Sequence, residues 1–121
     1  MSLARPLRVI LVEDEALIAM IIEEMIGDLG CTVVGPAATI DEALAIVGAE
    51  ADCALLDINL RGAPSWPIAD ALKARGIPFA FVSGYGQGGL DPKYRGETVL
   101  AKPIDTTHLE AWLSQIASRS V

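Results

Sequence analysis

This sequence predicts an α/β fold, a doubly wound parallel sheet of five strands with helices on both faces, and three observations lead there. Short β-branched runs alternate with stretches of helical periodicity five times in 121 residues. Runs such as Val9-Ile10-Leu11-Val12 and Ala54-Leu55-Leu56 are continuously apolar, as strands covered on both faces are. Four of the runs end in a polar or acidic residue, which places those residues at one edge of the sheet.

Leu7 to Val12 reads as the first strand. Ala16 to Leu29 follows as a helix, with Leu17, Ile18, Ile21, Ile22, Met25, Ile26 and Leu29 at helical spacing and Glu23, Glu24 and Asp28 opposite. Asp14 or Glu15 can cap its start and Gly30 can end it. Cys31 to Gly35 is a short second strand, and Thr39-Ile40-Asp41-Glu42 is a capping box opening a helix to about Ala49. Cys53 to Leu56 is the third strand, and Arg61 to Pro64 reads as a loop. Ser65 can cap a helix from Trp66 to Arg75, with Pro67 tolerated in its first turn and Gly76 ending it. Pro78 to Val82 and Glu97 to Ala101 are the fourth and fifth strands, and Asp105 or Thr107 caps a last helix to about Ala117. The link from Ser83 to Gly96 breaks the rhythm: it holds five glycines and a proline, so the fourth helix is expected to be short, poorly formed or mobile.

One domain is expected over residues 1–121, with its core at about 7–118, because the chain shows no linker and no repeat of fixed period. A net charge of −7 argues against direct binding to nucleic acid, which needs a basic face. No run reaches the roughly 18 apolar residues that span a bilayer, so no membrane partner is expected. Residues 1–6 lead straight into the first strand without a signal peptide, and a cytoplasmic location is expected. Cys31 and Cys53 then read as buried free thiols, and the single His108 cannot build a zinc site.

The chemistry lies in the polar strand ends. Glu13-Asp14 follows the first strand, Asp57 the third, Ser83 the fourth and Lys102 the fifth. Crowded acids repel, so such a group points to a bound cation or to proton or phosphoryl chemistry. A hard ion such as Mg²⁺ takes oxygen ligands, which Asp14, Asp57 and the backbone carbonyl of Asn59 can supply, with Glu13 acting through a water. Either acid group alone also reads as a helix cap or a turn, Ser83 as a turn former and Lys102 as a solvated surface lysine. Together they form a set for handling a phosphoryl group: a carboxylate to accept it, a cation to neutralise it, and a hydroxyl and an ammonium to bind the rest.

On Glu13-Asp14, Asp57, Ser83 and Lys102-Pro103, the chain from Arg8 to about Ser118 resembles the receiver domain of two-component response regulators. The resemblance implies a flavodoxin-like (CheY-like) sheet of strand order 2-1-3-4-5. It implies transfer of a phosphoryl group from a histidine kinase to Asp57, with Mg²⁺ as cofactor, and a downstream protein as the second partner. It also implies that Ser83 contacts the aspartyl phosphate, that Lys102 pairs with it, and that the peptide before Pro103 is cis. Such a receiver is phosphorylated and loses the phosphoryl group again, but is not an enzyme with a substrate of its own.

The segments Pro67-Ile68-Ala69-Asp70-Ala71-Leu72, Gly76-Ile77-Pro78-Phe79 and Phe81-Val82-Ser83-Gly84-Tyr85-Gly86 are similar to alphaproteobacterial receivers with a Phe-Ala-Thr-Gly-Tyr-Gly motif. Those are often single-domain regulators whose partners belong to the HWE and related histidine kinases. One departure concerns the switch. Ordinary receivers carry a Tyr or Phe three residues before the Lys, where this chain has Val99. Tyr85 is the candidate substitute, and packing on the sheet edge is its plainer reading. Gly84-Tyr85-Gly86-Gln87-Gly88-Gly89 matches a dinucleotide fingerprint in letters, but no helix start follows soon enough. The alternatives are a small Mg²⁺-dependent phosphatase or phosphotransferase using Asp57, a degenerate receiver that only binds, and the receiver fragment of a larger regulator.

Overall fold

A computed structural model of the chain describes residues 3–84 and 90–119. Strands β1 (Arg8–Val12), β2 (Thr32–Ala37), β3 (Cys53–Asp57), β6 (Phe79–Ser83) and β7 (Thr98–Ala101) form one sheet in the order β2-β1-β3-β6-β7. Every neighbouring pair in it is parallel. Counted within this sheet, the order is the expected 2-1-3-4-5, with the first strand between the second and third. Between β3 and the next helix lies a separate two-stranded ladder, β4 (Asn59–Leu60) against β5 (Ala63–Pro64).

Among the described residues four helices cover the sheet: α1 (Ala16–Asp28), α2 (Ile40–Ile46), α3 (Trp66–Ala74) and α4 (Thr106–Arg119). Successive strand residues point to opposite faces. Val9, Leu11, Leu55 and Val82 therefore pack with Ile22 and Ile26 of α1 and Leu109, Trp112 and Leu113 of α4. Ile10, Val12, Leu56 and Phe81 pack on the other face with Ala43 of α2 and Ile68 and Leu72 of α3. Both layers are apolar, and this is why the strands read as unbroken apolar runs.

Several local expectations need correction. Arg61 to Pro64 is not plain loop, because Ala63–Pro64 pairs antiparallel with Asn59–Leu60. The second strand runs past Gly35, through a cis Gly35–Pro36 peptide, to Ala37, while α2 ends at Ile46 rather than near Ala49. Glu15 stands at the N-cap of α1 but makes no side-chain cap bond, and the Asp14 carboxylate accepts from Arg61 N instead. Ser65 precedes α3 without capping it, and its buried hydroxyl has no hydrogen-bond partner. Half of the capping box at Thr39 forms, with Thr39 Oγ1 accepting from Glu42 N at 3.1 Å, while Glu42 Oε1 reaches back one residue further and accepts from Ala38 N at 2.8 Å. Asp105 serves the start of α4, accepting from Thr107 N at 2.7 Å.

Between β6 and β7 the described residues hold one element, a 3₁₀ turn at Pro92–Tyr94. Asp91 caps it, with Oδ1 accepting from Lys93 N at 2.9 Å. Residues 85–89 of the glycine-rich link lie outside the described residues, and the turn is held by one buried aromatic, Tyr94.

Candidate functional site

The carboxyl ends of β1, β3, β6 and β7 deliver Glu13, Asp57, Ser83 and Lys102 to one edge. The parallel register does this: Val12 lies beside Leu56, Asp57 beside Val82, and Ser83 beside Ala101. Lys102 N donates to Ser83 O at 2.9 Å, so the last two positions are tied by backbone. The Lys102–Pro103 peptide is cis.

Carboxylate oxygens of Glu13, Asp14 and Asp57 all lie within 4.8 Å of one another. Lys102 Nζ stands 3.0 Å from Asp57 Oδ2 and 3.1 Å from Glu13 Oε1. Glu13 is 3% exposed, Asp57 8% and Ser83 4%, so three polar groups are buried where the first two are acids. Burial raises the Glu13 carboxyl to about 7; the amide of Glu15 and the Lys102 ammonium oppose this, and the charge of Asp57 adds to it. Burial also works against the charge on Lys102, but hydrogen bonds to Asp57 and Glu13 outweigh it and hold the ammonium above the ordinary lysine range.

The loop after β3 closes the site. Asp14 Oδ2 accepts from Arg61 N at 3.0 Å, and Asn59 Oδ1 accepts from Gly62 N at 2.8 Å. Arg61 and Gly62 have φ of 51° and 86° and link β4 to β5 as the central residues of a two-residue hairpin turn of the I′ kind. Asn59 and Pro64 are a non-hydrogen-bonded pair, lying between the Leu60–Ala63 pair and the bond from Ser65 N to Ile58 O at 2.8 Å, so this ladder does not take up the Asn59 carbonyl. The cleft is about 630 Å³ and is lined by Asp14, Asp57, Asn59, Arg61, Ser83 and Lys102 among others. A groove of about 700 Å³ at the opposite end of the strands contains ion pairs that satisfy each other, Arg5 with Asp52 and Lys73 with Glu97, and gathers no acid cluster.

Of the switch candidates, Val99 is half-buried on β7 and borders a groove against α4 with His108, Ala111 and Trp112. Tyr85 lies outside the described residues. Two residues escaped the sequence reading. Arg61 was passed over because nothing in a charged loop residue announces a positive φ. Tyr94 is 1% exposed, stacks on Trp66 at 5.2 Å, meets Phe81 edge-on at 5.6 Å, and hydrogen-bonds the carboxylate of Asp70. The signal for Tyr94 was an aromatic two residues beyond Asp91-Pro92, a turn start inside a segment otherwise poor in apolar side chains.

A family model described as response regulator receiver domain matches residues 9–114. The Phyllosphere-induced regulator PhyR of Methylorubrum extorquens is 31% identical over 116 residues, which cover 88% of this chain and 42% of that protein. The solved structure of SdrG from Sphingomonas melonis Fr1 is similar with a TM-score of 0.78 at 40% identity, over 90% of this chain and 94% of that one. That of the response regulator PhyR from Brucella abortus is similar with a TM-score of 0.79 at 33% identity, over 94% of this chain and 49% of that one. The chain thus spans less than half the length of the curated relative it matches.

Proposed function

The chain belongs to the response regulator receiver domain family, and from that premise we propose that Asp57 accepts a phosphoryl group from a histidine kinase in a Mg²⁺-dependent reaction. The observation that carries this is the buried placement of Asp57 at the end of β3, 3.0 Å from Lys102 and within 4.8 Å of the Glu13 and Asp14 carboxylates. One ammonium cannot neutralise three acids, and burial already pushes Glu13 toward its protonated form. The donor set, carboxylate oxygens with the Asn59 carbonyl nearby, is that of a hard divalent ion. Asp14, Asp57 and the Asn59 carbonyl would hold Mg²⁺, and Glu13 would reach it through water. Bound there, Mg²⁺ supplies charge neutralisation for the acids and for the phosphoryl oxygens.

The chain's own groups divide the remaining work. A carboxylate oxygen of Asp57 is the nucleophile. Lys102, already paired with Asp57, keeps a positive charge beside the carboxylate that becomes an acyl phosphate. Ser83, in the β-ladder next to Lys102, supplies a hydroxyl for the bound phosphoryl group. Glu13 holds Lys102 from the other side. No separate substrate is turned over; the phosphoryl group enters, is held and is lost to water. Output passes to a downstream protein, and kinases of the HWE and related families are the donors proposed, all in the cytoplasm. A second reading, the receiver segment of a longer regulator, is favoured by one fact: the match covers only 42% of one relative and 49% of another.

Labelling with radioactive acetyl phosphate tests the assignment. The expected result is Mg²⁺-dependent incorporation into the wild-type chain and none into Asp57→Asn. Full incorporation into Asp57→Asn would remove Asp57 from the role.

A further inference from the structure

Arg61 is the residue whose geometry the proposed phosphoacceptor site does not by itself explain. Its φ of 51° lies in the left-handed region, the only positive φ among the described non-glycine residues. A turn of this shape favours Asn or Gly at that position, and a residue with a long side chain is strained there. The turn is fixed to the site at two points, through Arg61 N to Asp14 Oδ2 at 3.0 Å and through Gly62 N to Asn59 Oδ1 at 2.8 Å. Strain kept at a site and bonded to its acids calls for a reason in the side chain.

The reason lies in the charges. Two cationic side chains line this cleft, Lys102 and Arg61. Lys102 is committed, 3.0 Å from Asp57 and 3.1 Å from Glu13. Arg61 is exposed and takes part in none of the ion pairs among the described residues. A phosphoryl donor is anionic, and it must approach Asp14, Glu15 and Asp57, which line the same cleft. A planar guanidinium suits phosphoryl oxygens, which it can bind through two parallel hydrogen bonds.

We propose that the Arg61 guanidinium is the docking cation for the phosphoryl donor, aimed at the mouth of the site by the strained Arg61-Gly62 turn. This rests on the reading of Asp57 as phosphoacceptor. In the step it serves, an Asp57 oxygen forms a bond to phosphorus while the donor's P–O bond (acetyl phosphate) or P–N bond (phosphohistidine) breaks. The electron pair leaves with acetate or with the imidazole, which takes a proton from solvent. Arg61 binds the donor's oxygens and gives up no proton.

Arg61→Gly separates side chain from backbone, because glycine keeps both the positive φ and the amide that bonds Asp14. The rate of labelling by acetyl phosphate should fall about tenfold, the order of one charge-assisted hydrogen bond, and Arg61→Lys should recover part of it. The difference from wild type should shrink at 1 M salt, where screening reaches about 3 Å. Mg²⁺ affinity, measured by calorimetry on the unphosphorylated chain, should be unchanged or tighter in Arg61→Gly. An unchanged labelling rate overturns the inference. So does parallel loss of Mg²⁺ binding, which would leave Arg61 a purely structural part. A wild-type chain that takes no label overturns the phosphoacceptor reading, and this inference with it.

Discussion

Lys102→Met in metal-free buffer should cost stability by an amount that grows with pH. The change removes the ammonium and keeps an apolar stem of similar length. It strips Glu13, 3% exposed, of the cation 3.1 Å away, and leaves burial and the charge of Asp57, both of which raise its carboxyl. Near pH 5.5, below the folded value of about 7, Glu13 is mostly protonated in both proteins. The variant then loses chiefly the charge-assisted hydrogen bond from Lys102 to Asp57, about 2 kcal/mol. The sign above that pH follows from proton counting. A carboxyl raised by folding binds a proton that the unfolded chain releases, so stability falls as pH rises from the unfolded value to the folded one and is level beyond it. In the wild type that fall ends near 7. In the variant it continues, at up to about 1.4 kcal/mol per pH unit. At pH 8.5 the penalty should therefore be about 4 kcal/mol, within the range that a broken buried ion pair costs. Urea unfolding followed by circular dichroism at pH 5.5, 7.0 and 8.5, with EDTA present, measures it. A penalty that does not change with pH would refute the reasoning, because it would mean that Lys102 does not govern the charge of Glu13.

Three further outcomes are expected. Tyr94→Ala should lose about 3–5 kcal/mol in thermal or urea unfolding, since it empties a place packed by Trp66 and Phe81, and Tyr94→Phe should lose much less because only the hydroxyl to Asp70 and to the Trp66 carbonyl goes. Gly35→Ala should cost at least about 3 kcal/mol, because its Cβ would sit 2.9 Å from Leu11 O and 3.0 Å from Ala37 N at a φ of 108°, whereas Gly76→Ala, at a φ of 70° with nothing within 4 Å, should cost only about 1 kcal/mol. Burial pushes the Cys53 thiol up to about 12 and raises that of Cys31, so neither should react with a thiol reagent at pH 8 until the chain is unfolded; rapid labelling of the native protein would contradict the packing.

The parts of the fold that were legible in the sequence are those where burial leaves no choice. Cys53-Ala54-Leu55-Leu56 has no polar face, so it can only be a strand covered on both sides, and its end at Asp57 follows directly. The site was legible for the same reason: strand ends are fixed by the sheet, so a polar residue after an apolar run has a known address. What was not legible depends on contacts from afar. Whether Asp14 caps α1 or accepts from Arg61 N, 47 positions away, is decided by the hairpin after β3. That hairpin carries no Asn-Gly or Asp-Gly signal, because Arg occupies the first turn position at a cost in strain. Tyr94 was hidden likewise, since its partners Trp66, Asp70 and Phe81 come from α3 and β6 rather than from its own segment.

These differences bear on how the site is supported. Glu13 and Asp57 continue strands β1 and β3, each flanked by neighbours on both sides in the sheet. Lys102 follows the edge strand β7, which has β6 alone beside it. The described part of the link that leads into β7 is joined to the body through Tyr94, wedged between Trp66 and Phe81, and through two partly exposed ion pairs, Lys93 with Asp70 at 2.9 Å and Glu97 with Lys73 at 3.1 Å. The acids are therefore held by a doubly paired centre, and the ammonium that balances them by a singly paired edge. A charge change at Asp57 acts first on the bond to Lys102, and so on the less constrained side of the site. Phe81 lies two residues before Ser83 on the same strand face, which puts the Tyr94 cluster directly beside the hydroxyl end of the site. If Asp57 takes a phosphoryl group as proposed, rearrangement should for these reasons begin at β7 and the Tyr94 turn and leave β1 and β3 in place, so amide exchange compared with and without a phosphoryl mimic should change at β7 and Tyr94 and not in β1 or β3.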